Sequence, residues 1–94
     1  MKNQVKIIYC TQCKWLLRST WMAQELLTTF SEDIDELTLV PGTGGIFEIY
    51  ANDVKIWSRK EMKDFPEITT LKIKVRDVIN PDKDLGHIDR KKQG

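Results

Sequence analysis

Apolar and polar residues change their spacing several times along this chain, and each change marks an element. Val5-Lys6-Ile7-Ile8-Tyr9 is β-branched and aromatic and predicts a buried first strand. From Cys13 to Phe30 the period lengthens to that of a helix. Trp15, Leu16, Met22, Ala23, Leu26, Leu27 and Phe30 fall on one stripe, the predicted core face. Leu17 and Trp21 lie off that stripe, four residues apart on a common side. They read equally well as a second packing face or as an exposed apolar patch. Asp35 to Val40 predicts a second strand, with Leu37 and Leu39 on the same face by alternation. Pro41-Gly42-Thr43-Gly44-Gly45 is the one flexible segment in the body of the chain. Ile46 to Ala51 and Val54 to Ser58 predict a third and a fourth strand, joined by a tight Asn52-Asp53 turn. Arg59 to Asp64 reads as a charged loop. Pro66 suits the first turn of a final helix with apolar positions Ile68, Leu71, Val75, Val78 and Ile79, stopped by Asn80-Pro81. The polar remainder, Asp82 to Gly94, reads as a loosely attached tail.

The predicted order is β-α-β-β-β-α. A short strand–helix–strand crossover favours a right-handed parallel pair, and the following hairpin adds antiparallel strands. The expected architecture is α/β: a four-stranded mixed sheet covered by two helices. No internal repeat or linker divides it, so residues 1–80 are expected to form one domain and residues 81–94 a polar tail.

Composition narrows the function classes. The chain has 94 residues, 40% of them apolar and 31% charged, which suits a small core that folds without staples. The formal net charge is +1. Nucleic-acid binders concentrate basic charge on one face, so no nucleic-acid partner is expected, and Arg90-Lys91-Lys92 reads as a solvated end. The apolar runs are too short to span a bilayer. Met1-Lys2-Asn3-Gln4 leads straight into the first strand without a signal-peptide apolar core. A cytoplasmic protein with no membrane partner is expected.

The two cysteines carry the chemistry. Cys10 and Cys13 form Cys-Thr-Gln-Cys. A disulfide across so small a loop removes little entropy from the unfolded chain. One pair plus the lone His87 cannot fill a tetrahedral zinc site. The spacing points instead to reversible redox chemistry. The pair falls where the first strand gives way to the first helix, and unpaired amides there stabilise a thiolate. Lys14 adds positive potential. Two buried structural cysteines are the bland alternative.

The chain resembles the selenoprotein W (Rdx) family in its cysteine-containing bacterial form. The resemblance rests on Tyr9-Cys10-Thr11-Gln12-Cys13, the glycine-rich loop leading into Gly45-Ile46-Phe47-Glu48-Ile49, Ile56-Trp57-Ser58-Arg59-Lys60, and Phe65-Pro66. Ile79-Asn80-Pro81 through Leu85-Gly86-His87 extends it. It implies a thioredoxin-like fold, thiol–disulfide exchange through Cys10 and Cys13, and glutathione as a redox partner, with no bound cofactor. Protein disulfides or oxidised thiols are the implied substrates, acting on a monomer or weak homodimer. Gly42, Thr43, Gly44, Gly45 and Phe47 are the residues expected to meet a substrate peptide or glutathione. The loop lacks the Lys-Ser or Lys-Thr of a phosphate cradle. Thioredoxins place a cis-proline beside the dithiol. The nearest candidate, Pro41, comes several residues early, and the Gly42–Gly45 loop takes its place.

Two questions stay open at this level. Local geometry favours Cys10 as the attacking sulfur, if it lies exposed at the helix N-cap with Cys13 one turn in. The resemblance favours Cys13, because selenium-bearing relatives carry selenocysteine at that position. A dithiol oxidoreductase is favoured over a non-catalytic redox sensor that gates a partner surface around Trp21. His87 reads as a surface residue.

Overall fold

A computed structural model describes residues 2–86 of the chain. His87 and Arg90-Lys91-Lys92 lie outside the described residues. The elements are β1 (Gln4–Cys10), α1 (Leu16–Thr29), β2 (Glu36–Gly42), β3 (Phe47–Ala51), β4 (Val54–Ser58), α2 (Arg59–Met62) and α3 (Ile68–Ile79). The sheet runs in the order β2-β1-β3-β4. β1 pairs parallel with β2 and antiparallel with β3, and β4 closes the far edge antiparallel to β3. The mixed four-stranded sheet is therefore the one the pattern predicts.

Alternation along the strands sends Val5, Ile7 and Tyr9 of β1 and Phe47, Ile49 and Ala51 of β3 into the core. Met22, Ala23, Leu26 and Phe30 from α1, with Leu71 and Val75 from α3, pack onto that face. The opposite face carries Lys6 stacked on the Tyr50 ring and the Tyr50 hydroxyl donating to Glu48, as suits a sheet face left to water. Lys72 of α3 bridges Glu25 of α1 at 2.9 Å, tying the two helices together.

Several boundaries differ from the sequence expectation, each for a local reason. The first helix starts at Leu16 rather than Cys13, because residues 11–14 form turns in which Lys14 takes φ 61°. Its core arc is also narrower than the predicted stripe. Leu16 and Leu27, at the rim of the stripe, are exposed, while the buried Ser19 occupies its middle. Ser19 fits there because its hydroxyl donates to the Trp15 carbonyl at 2.8 Å, leaving no bare donor in the core. Leu17 and Trp21 are exposed. β2 extends through Pro41 and Gly42, so the flexible segment is shorter than expected. Proline is tolerated because β2 is an edge strand.

Arg59–Met62, expected as loop, is a short helix. Ser58-Arg59-Lys60-Glu61 has the Ser-x-x-Glu pattern of a capping box, and the Glu61 amide donates to the Ser58 hydroxyl. The Asn52-Asp53 turn is as predicted, with both residues at positive φ as a two-residue hairpin requires. Where polarity from Asp82 onward suggests loose attachment, residues up to Gly86 are tied to the body. Lys83 bridges Asp33 at 3.0 Å, Arg76 donates to the Lys83 carbonyl, and Leu85 packs on the core.

Candidate functional site

The topology itself gathers the site. β1 and β4 end, and β3 begins, at one edge of the sheet, with Tyr9 opposite Phe47 and Glu48 opposite Ser58. The residues that follow β1 and β4 and precede β3 therefore meet there: the cysteine turn, Arg59, and the Thr43–Ile46 loop.

Cys10 is buried, only 1% exposed, whereas Cys13 is partly exposed. The Cys13 thiol donates a hydrogen bond to the Cys10 sulfur, which holds Cys10 below the ordinary thiol range; burial opposes this, and the amides of Gly45, Cys13 and Gln12 reinforce it. The same bond holds the Cys13 proton in place and pushes its titration up, together with burial and the negative charge on Cys10. The Gly45 amide and the Arg59 charge pull the other way. The two sulfurs shift each other in opposite directions, so the ionisation belongs to the pair. Neither cysteine lies on the helix. The amides that stabilise the thiolate come from the 11–14 turn and the glycine loop, not from the first turn of α1 as the sequence suggests.

The loop is anchored from both sides. The Thr11 amide donates to the Gly42 carbonyl at 3.1 Å, and the Thr11 hydroxyl also reaches it. A Cβ on Gly42 would lie 2.7 Å from the Ile46 side chain, so only glycine lets the loop fold this tightly. Gly44 and Gly45 have φ of 74° and 78°, and that left-handed turn aims the Gly45 amide at the sulfurs. Thr43 and Gly44 are exposed at the crest. The described residues contain no cis peptide bond, and Pro41 sits in β2 opposite Tyr9.

Phe47 borders the cavity beside Arg59, and its side chain is buried, 1% exposed. It packs edge-on against Phe65 at 4.9 Å and against Trp15 at 6.4 Å, and Trp15 meets Phe65 at 5.0 Å. Two guanidinium groups cover this cluster: Arg18 lies 4.2 Å from the Phe65 centroid, and Arg59 lies 4.9 Å from that of Trp15. The Arg59 Nε is buried and makes no hydrogen bond. A cavity of about 590 Å³ runs from Gly44 and Gly45 past Glu48 to Arg59 and Lys60. Sequence reasoning did not assign Arg59, Phe65 or Trp15 to the site, although the strand order places Arg59 at its rim.

The family model of the Rdx family matches residues 4–77, and the chain belongs to that family. A selenoprotein W-related protein from Vibrio cholerae is 55% identical with a TM-score of 0.82, the match covering 85% of this chain and all of that one. A protein from Bordetella parapertussis is 53% identical with a TM-score of 0.80, over 82% of this chain and 98% of that one. No curated protein matches. The fold is thioredoxin-like, in a family generally associated with redox chemistry, and this member carries a cysteine pair. No helix among the described residues is long and apolar enough to cross a membrane.

Proposed function

We propose that the chain is a dithiol–disulfide oxidoreductase that works through Cys13 and Cys10, with glutathione as the thiol that returns the pair to its reduced form. What supports this reading is the pairing of a buried Cys10 with a partly exposed Cys13 in the turn that follows β1, where the Cys13 thiol and three backbone amides lower the Cys10 titration. Access decides the order of events: a substrate disulfide reaches Cys13, not Cys10. The Cys13 proton moves to Cys10 as the Cys13 sulfur attacks, so a Cys13–substrate disulfide forms and one substrate thiolate leaves. Cys10 then gives its proton to that thiolate and attacks Cys13. The second substrate thiolate departs, and the Cys10–Cys13 disulfide remains. Two glutathione molecules reduce it and leave as glutathione disulfide. The cavity between Gly45 and Lys60 suits glutathione, because Arg59 and Lys60 supply cations for its carboxylates.

The order of attack reverses the expectation from local geometry. That expectation needs an exposed Cys10 at a helix N-cap, whereas Cys10 is buried and Trp15 is the N-cap. Single variants mixed with excess glutathione disulfide at neutral pH test it. Cys10→Ser should accumulate a stable glutathionyl adduct at least about tenfold faster than Cys13→Ser, as a buried thiol is shielded from exchange. Faster trapping by Cys13→Ser would make Cys10 the attacking sulfur, and the absence of any adduct in either would end the oxidoreductase reading. Continuous turnover of the unmodified protein with glutathione separates the enzyme from a redox sensor, which changes state once.

A further inference from the structure

The outer side of α1 leaves large apolar side chains uncovered. Leu17 is 82% exposed and Trp21 is 48% exposed. Together with Lys14, Arg18 and Gln24 they line an open groove of about 570 Å³. Soluble domains rarely leave two large apolar side chains adjacent without a use for them. The lining starts at Lys14, the residue after Cys13, which puts one end of the groove next in the chain to the partly exposed cysteine.

Its chemistry and length identify the occupant. Two cations and no carboxylate line it. A second copy of this chain is a poor fit, because a two-fold contact sets the same patch on both sides and would face these cations with themselves. From Leu17 to Gln24 the helix rises about 10 Å, and the lining extends back to Lys14. An extended chain covers about 3.3 Å per residue, so the groove holds some three or four residues beyond the one that bears the reacting sulfur. Glutathione is too short to reach along it from Cys13.

We propose that this groove docks an extended protein segment in which large apolar residues alternate with acidic ones, beside the oxidised cysteine that Cys13 attacks. The proposal deepens the oxidoreductase reading and rests on it. The bond changes are those already given: the partner's disulfide is reduced, the Cys10–Cys13 pair is oxidised, and glutathione restores it.

Three synthetic peptides test this, each a cysteine followed by four residues, held as a mixed disulfide with thionitrobenzoate so that exchange releases a coloured thiolate. One alternates Leu with Glu, the second Leu with Lys, and the third Ser with Glu. The Leu–Glu peptide should react about tenfold faster than either other, with the preference over the Leu–Lys peptide shrinking as salt rises. Leu17→Ser/Trp21→Ser should erase the preference over the Ser–Glu peptide. Arg18→Ser should narrow the preference over the Leu–Lys peptide. Equal rates for all three peptides, or preferences that survive these variants, overturn the docking proposal while leaving the dithiol chemistry intact. A concentration-dependent dimer in sedimentation that Leu17→Ser/Trp21→Ser abolishes would assign the face to a second copy and also overturn it. If no peptide reacts, the oxidoreductase reading falls, and docking is then read from Cys10→Ser/Cys13→Ser titrated with the serine counterpart of the Leu–Glu peptide. A saturable change in tryptophan emission, lost on Trp21→Ser, supports the groove. No change overturns it.

Discussion

At the residue scale, the site turns on the hydrogen bond between the two sulfurs. Cys10 ionises early because the Cys13 thiol donates to it. Removing the donor in Cys13→Ala should therefore raise the Cys10 titration towards the ordinary thiol value of about 8.5, seen as a shift to higher pH in ultraviolet thiolate absorbance. An unshifted titration would mean that the three amides alone hold the thiolate. Trp15 offers a second readout. It lies two residues after Cys13 and within the aromatic cluster, and a disulfide quenches an indole on contact. Emission should rise when the protein is reduced, and Trp15→Phe should lose that rise. Retention of the full change in Trp15→Phe would move the reporter to Trp57 or Trp21.

Elements show where side-chain pattern suffices and where it stops. The strands, their sequence along the chain and the tight hairpin follow from alternation and turn residues, since those signals are local, whereas the pairing of β3 with β1 is set by the folded sheet. The helix stripe reads correctly through Met22, Ala23, Leu26 and Phe30, which are buried. It fails at Leu16 and Leu27, because periodicity fixes a direction but not the width of the surface that covers it. The cysteine pair is legible for its spacing. The burial of Cys10 is not, since it depends on the Gly45 turn closing over the end of β1. Arg59 is half legible: it directly follows the predicted fourth strand, but the β2-β1-β3-β4 order that brings it to the dithiol, and its place over Trp15, arise only in the folded sheet. Leu26 is wholly buried in the middle of α1, so Leu26→Ala should cost about 3 kcal/mol in denaturant unfolding, against less than about 0.5 kcal/mol for Leu27→Ala at the exposed rim.

One carboxylate ties the segment after α3 to the end of α1. Asp33 takes Lys83 at 3.0 Å and accepts from the Asn80 amide at 3.0 Å, while its own carbonyl accepts from Asn3. Lys83 and then Asn80 hold the Asp33 carboxyl below its usual range. A depressed carboxyl adds stability that is complete above the unfolded value near 3.9 and fades as pH falls through the folded one. Asp33→Asn should therefore destabilise the protein at neutral pH by about 1 kcal/mol, the scale of a partly exposed charge-assisted bond. That deficit should shrink steadily below about pH 4. A deficit that stays constant from pH 7 to pH 2 would show that Asp33 acts through packing instead of charge.

For the whole molecule, the same two sulfurs couple stability to redox state. In the reduced protein one thiol titrates below its ordinary value and the other above it. The unfolded chain titrates both near about 8.5. As pH rises through the lowered Cys10 value, the folded state loses a proton before the unfolded state does, and reduced protein gains stability until the unfolded thiols ionise. Beyond that, the unfolded chain sheds both protons while folded Cys13 keeps its own, and the gain is lost again. The oxidised protein has no thiol to titrate. The difference in unfolding free energy between reduced and oxidised forms should therefore trace a bell against pH, with its maximum near the ordinary thiol value. Because oxidation and folding close one thermodynamic cycle, the folded dithiol should also resist oxidation most, relative to the unfolded chain, at that same pH. Paired urea titrations of reduced and oxidised protein across pH 6 to 10 check this, with Cys10→Ser/Cys13→Ser as the reference that titrates neither sulfur. A difference that climbs or falls without a maximum would mean that both thiols shift in the same direction, and the opposed shifts that the Cys13-to-Cys10 hydrogen bond imposes would be lost with it.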